Sequence, residues 1–101
     1  MSSRSQELLE NHALHTNSRQ AAHSISKAME KVKSGDTHTY VLDRIYQDHG
    51  RHTSNAIESS MHLSHQTLRD HYHHDAGAKN VVDNHKKIVK TIHDAVQEHD
   101  G

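Results

Sequence analysis

The sequence predicts an all-α protein, an antiparallel bundle of three or four amphipathic helices, on three observations. Across 101 residues there is no proline and only four glycines, so long segments run without an obligatory break. Apolar residues recur at alternating steps of three and four, the period of one helix face. The candidate turns are only a few residues long, which makes sequential helices antiparallel neighbours.

The first helix is expected over residues 3–33. Ser3 or Ser5 can cap it, and Ser3 with Gln6 has capping-box spacing. Leu8, Ala22, Ile25, Met29 and Val32 fall on its seam, with Ala21 and Ala28 beside it. Traced backward, the seam passes through Ser18, His15 and Asn11, so the first half is weakly apolar and packs around polar groups. Lys31 and Lys33 suit a helix C-terminus, and Ser34-Gly35-Asp36-Thr37 reads as a glycine stop followed by the next cap.

A second helix over residues 37–49 presents Val41, Leu42 and Ile45, with Tyr46 or His49 at its edge. A third over 54–75, capped by Thr53, Ser54 or Asn55, carries Ile57, Met61, Leu68 and Tyr72. Glycine inside a helix costs only about 1 kcal/mol, so one continuous helix through Gly50 is the rival arrangement. Asp48-His49-Gly50-Arg51 favours a break or kink there, and Asp75-Ala76-Gly77 reads as a second glycine stop.

The fourth helix, over 79–99, has the clearest pattern. Val81, His85, Ile88, Ile92, Ala95 and His99 form its stripe, flanked by Val82, Val89 and Val96. Its outward face carries Asp83, Lys86, Lys87, Lys90, Asp94 and Glu98. Two imidazoles therefore sit where aliphatic residues are expected, which calls for a hydrogen-bond partner, a metal or a pH-dependent role.

Composition points to a single domain over residues 1–101 with a thin core. Apolar residues make up 31% of the chain, Phe and Trp are absent, and mean hydropathy is −1.02. A core of Leu, Ile, Val, Ala and Met this small is marginal, so oligomerisation or a bound ion is a natural supplement. Without cysteine there is neither a disulfide framework nor a thiolate metal site. No run approaches the roughly 20 apolar residues of a membrane span, and no secretory signal is evident, so a soluble chain is expected. Net charge is −1 with histidines neutral, which gives no electrostatic case for nucleic acid at pH 7. Protonating all 14 histidines would bring it to +13.

The histidines are the conspicuous feature. His12/His15, His49/His52, His62/His65 and His71/His74 have His-x-x-His spacing, which places two ring nitrogens on one helix face. At this histidine frequency chance alone supplies a similar number of close pairs, so the spacing adds little to the composition. His62, His65, His71 and His74 are the candidate ligands for a divalent transition metal such as zinc, with Asp70 or Asp75 close by in sequence. The alternative for His71, His73 and His74 is a helix end that complements the dipole. For His15, His49, His85 and His99 it is a set of buried, neutral rings whose protonation destabilises the bundle.

No zinc-protease, di-iron, phosphate-loop, dinucleotide or nucleophile-elbow motif occurs. Size, helical layout and histidine content resemble the small His-rich four-helix metal-binding proteins of bacterial envelopes, without their regular acidic/His repeat. Short glycine turns at Gly35 and Gly77 resemble those of designed bundles, although the Ser, Thr, Asn and His on the surface do not. No residue role is carried over from either. The expectation is a non-enzymatic, helix-mediated interaction or assembly module that pairs with itself or another helical protein. The alternatives are a histidine-based metal binder and a pH-responsive bundle.

Overall fold

A computed structural model describes residues 3–33, 35–59 and 64–100. These form five α-helices and no strand: α1 (Ser3–Glu30), α2 (Asp36–His49), α3 (Arg51–Glu58), α4 (His65–His71) and α5 (Ala76–Asp100). The protein is all-helical, but the expected count of three or four helices becomes five among the described residues.

Two local features account for the difference. Gly50 has φ 94° and ψ 166°, a conformation in which an L side chain is strained, so α2 and α3 are separate. The region expected as one helix over 54–75 is also two. Ser64 is extended and its Oγ accepts a hydrogen bond from the Thr67 amide at 3.1 Å, which starts α4 afresh. Serines at 59 and 64 offer the backbone local alternatives to helix, a signal that apolar periodicity does not weigh. Ser34, Met61 and His62 lie outside the described residues.

Side-chain pairings give the topology. Thr37 meets His99 and His49 meets Thr91, so α2 runs antiparallel to α5. Thr53 meets Asn80, which continues the same course through α3. Leu14 shares a cleft with Val82, and Ala28 shares another with Val96, so α1 and α5 are parallel. Short α4 runs antiparallel to α1, its start beside Arg19 and His23 and its end beside Asn11.

The core consists mainly of Ile25, Ile45, Ile57, Leu68, Ile88 and Ile92 with Val41 and Val81. On α1 the buried line is Ser18, Ala21, Ile25 and Ala28. Small residues thus hold the centre of the seam, letting the helix axes approach closely, while Ala22, Met29 and Val32 pack at its margins. The expected stripe through Leu8 ends early, because the neighbouring helices do not reach that far. On α5 the aliphatic stripe is buried as patterned, but His99 is exposed and His85 is half-buried.

Two details of α5 correct the expected start at 79. Gly77 is not a stop; it is buried in the first turn of α5, where a Cβ would overlap the carbonyl oxygen of His52 and sit 2.8 Å from its carbon. Glycine here permits α3 and α5 to touch. The boundary is made instead by Asp75, whose Oδ1 accepts from the amides of Gly77 at 2.8 Å and Ala78 at 3.1 Å. Further along, Asn84 leaves helical geometry at φ −127° and ψ 24°. His85 compensates: its Nδ1 donates to the Val82 carbonyl at 3.0 Å, since that oxygen can only accept.

Candidate functional site

The most concentrated chemistry lies where α4 crosses α1. His12, His15, Arg19 and His23 follow one another along α1 at steps of three, four and four, and His65 and Arg69 are four apart on α4. Such steps hold each set on one helix face. The two faces meet at His15, where Arg69 Nη1 is 2.9 Å from Nδ1. A guanidinium only donates, so Nδ1 is an unprotonated acceptor and the His15 ring is neutral.

His65 closes the other side of His15, with ring centroids 5.6 Å apart in an edge-to-face arrangement. Burial holds the His15 imidazole below its ordinary value, and the charges of Arg69, His65, Arg19 and His12 push the same way. An adjacent groove of about 710 Å³ is lined by Thr16, Arg19, Gln20, Ala22, His23, Ser64 and His65.

A second polar line runs between the α2–α3 segment and α5. His49 Nε2 lies 2.9 Å from Thr91 Oγ1, and that hydroxyl donates to the Lys87 carbonyl. The imidazole Nε2–H is therefore the donor. Burial lowers the His49 value and outweighs the opposing charge of Asp48. Nearby, Asn80 Nδ2 donates to Thr53 Oγ1 at 2.7 Å. At the far end, His99 Nδ1 is 3.1 Å from both Thr37 Oγ1 and Asp100 Oδ1.

The four candidate metal ligands have different surroundings. His62 is outside the described residues. His65 packs against His15, whereas His71, at the other end of α4, lines a cleft with His52 and Asp75. Six residues apart on one helix, His65 and His71 are separated by about 9 Å along the axis and face different directions. His74 is exposed in the turn before α5, its amide bonded to the His71 carbonyl. Among the described residues, no three or more His, Cys, Asp or Glu side chains are grouped to hold a metal ion.

Away from these clusters, the first turns of α1 stand free. Residues 3–13 are exposed throughout, and within them Leu8 is 59% and Leu9 70% accessible. Tyr40 and Tyr72 instead have their hydroxyls tied down, to Glu98 and Asp83. Lys86, Lys87 and Lys90 form an exposed face.

Arg19 and Arg69 were not singled out by sequence pattern. Their signal is the unbroken line of basic side chains at 12, 15, 19 and 23 on one helix and the 65/69 pair on another. Only the tertiary crossing shows that the two lines meet.

The fold thus defines an all-helical protein in which, among the described residues, no helix is long and apolar enough to cross a membrane. Comparison with protein-family models, with curated proteins and with solved structures finds no match to the chain.

Proposed function

We propose that the protein is a non-enzymatic interaction module that assembles through the free end of α1, with a second copy of the chain as its partner. The observation that carries this reading is the pair of adjacent leucines, Leu8 and Leu9, more than half exposed on a helical stretch that none of the described helices covers. An uncovered helical end of this length is marginal in water, and packing against another helix stabilises it. Arg4, Glu7 and Glu10 flank the leucines with both signs of charge, as a self-complementary two-fold contact between antiparallel copies requires.

Magnitudes set the strength of such a contact. Burying four leucines contributes about 6–12 kcal/mol, at about 1.5–3 kcal/mol each. Association itself costs about 4–15 kcal/mol, so the complex is weak and concentration-dependent. Sedimentation equilibrium of the protein and of its Leu8→Gln/Leu9→Gln variant tests this. The expected result is reversible self-association that the double substitution abolishes without loss of helicity. A monomer at all concentrations, or a dimer indifferent to the substitutions, contradicts it.

A second reading is favoured by a separate observation, the donation from Arg69 to the neutral ring of His15. Protonation of Nδ1 would remove the acceptor and set a positive ring against a guanidinium. The α1–α4 contact would then open in acid, making the bundle pH-responsive. Loss of far-ultraviolet helical signal between about pH 7 and 5, suppressed in His15→Gln, is the expected behaviour. A helical signal unchanged over that range contradicts this reading.

A further inference from the structure

We propose that the groove between α1 and α4 binds a phosphate-class tetrahedral oxyanion, held by Arg19, His23 and His65 with Arg69 behind them. This is independent of the role of the α1 end in assembly.

The argument begins with charge. Two permanent cations, Arg19 and Arg69, and the titratable rings of His12, His15, His23 and His65 lie on the facing sides of two helices. Among the described residues, no carboxylate lines the groove. The one acidic partner on α4 is Asp70, 3.9 Å from Nε of Arg69 in an exposed pair between chain neighbours. On α5, packed behind both helices, Asp83 is occupied by Lys79 and Tyr72. Among the described residues, the charges that act on His15 are those of Arg69, His65, Arg19 and His12, which lie on α1 and α4.

Assembling like charges by the fold costs free energy that a bound anion recovers. Arg19 offers a fork of donors suited to a tetrahedral oxyanion, and the imidazoles add N–H donors. Thr16 and Gln20 supply neutral polar groups on the same wall. A volume of about 710 Å³ admits such an ion together with part of whatever bears it.

Near pH 7.5 the His15 ring is neutral and accepts from Arg69, leaving the arginines as the main positive charges. A bound anion would also oppose the acid opening of the α1–α4 contact by screening the cations across it.

Sulfate is the appropriate free probe, because it is a dianion at neutral pH. Calorimetric titration near pH 7.5, at ionic strength held constant with chloride, should show one saturable site. Arg19→Gln, a change at an exposed residue, should weaken binding about tenfold or more with an unchanged circular dichroism spectrum. Lys86→Gln/Lys87→Gln, on another exposed face, should leave it intact.

Phosphatidylcholine vesicles with and without phosphatidic acid form the second arm. Arg19-dependent binding to the acidic vesicles, without binding of free sulfate, identifies a headgroup as the source of the phosphate. Three outcomes overturn the proposal: no saturable binding of either probe, equal loss in the Lys86/Lys87 variant, or full affinity retained in Arg19→Gln.

Discussion

Arg69 donates to Nδ1 of His15 at 2.9 Å, and this one bond ties α4 to α1 through a ring that must be neutral to accept it. Burial holds His15 below its ordinary value of 6.5, and His49 is lowered in the same way. Above about pH 6.5, folded and unfolded chains both carry these rings neutral, and their contribution to stability is fully present. As pH falls through 6.5 toward the lowered folded values, the unfolded chain takes up protons first and stability is lost. Urea midpoints should therefore be level at pH 7.5 and above and decline from pH 6.5 to 5. His15→Gln/His49→Gln should flatten that decline; an equally steep curve in the variant would place the pH sensitivity elsewhere.

Gly77→Ala sets a gain against a clash. Alanine improves helix propensity by about 1 kcal/mol. Its Cβ, however, meets backbone atoms of His52, which cannot swing aside. The clash costs about 1–3 kcal/mol and should win, loosening α3 from α5. Thermal denaturation should show a lower midpoint; a higher one would mean that the helices separate without cost.

Asp75→Ala removes the only side-chain cap described for α5, leaving the amides of Gly77 and Ala78 without their acceptor. A loss of about 1 kcal/mol is expected in chemical denaturation. Asp75→Asn keeps an acceptor oxygen and should recover most of it.

Ser18→Ala should stabilise the protein. The Ser18 hydroxyl is fully buried with no hydrogen-bond partner among the described residues, at a position where the small side chain suits close helix packing. Removing an unsatisfied buried hydroxyl relieves about 1–3 kcal/mol of desolvation, and alanine is the better helix former. An unchanged or lower denaturation midpoint would show that the hydroxyl has a partner after all.

The helical class and the aliphatic face of α5 were legible because Val81, Ile88, Ile92 and Ala95 repeat at the period the backbone imposes. The five-helix division was less legible. Gly50 marked a break, but Gly77 looked like a second one and instead serves a helix contact, a distinction that depends on His52, 25 positions away. The serines around 59–64 signalled a new helix start only through capping chemistry, while Ile57 and Leu68 continued the apolar pattern across it. At the candidate site, histidine spacing pointed toward His62, His65, His71 and His74. Tertiary geometry instead joins His65 and Arg69 to His15, a residue from the other half of the chain. Pairings at such separations are not encoded in local period.

The most direct test of the assembly reading follows backbone amide chemical shifts as the protein is taken from micromolar to millimolar concentration at pH 7.5. Progressive, saturating shifts confined to the exposed turn around Leu8 and Leu9 are predicted, with α5 unaffected. Spectra that do not change with concentration, or changes centred on another face, would contradict it.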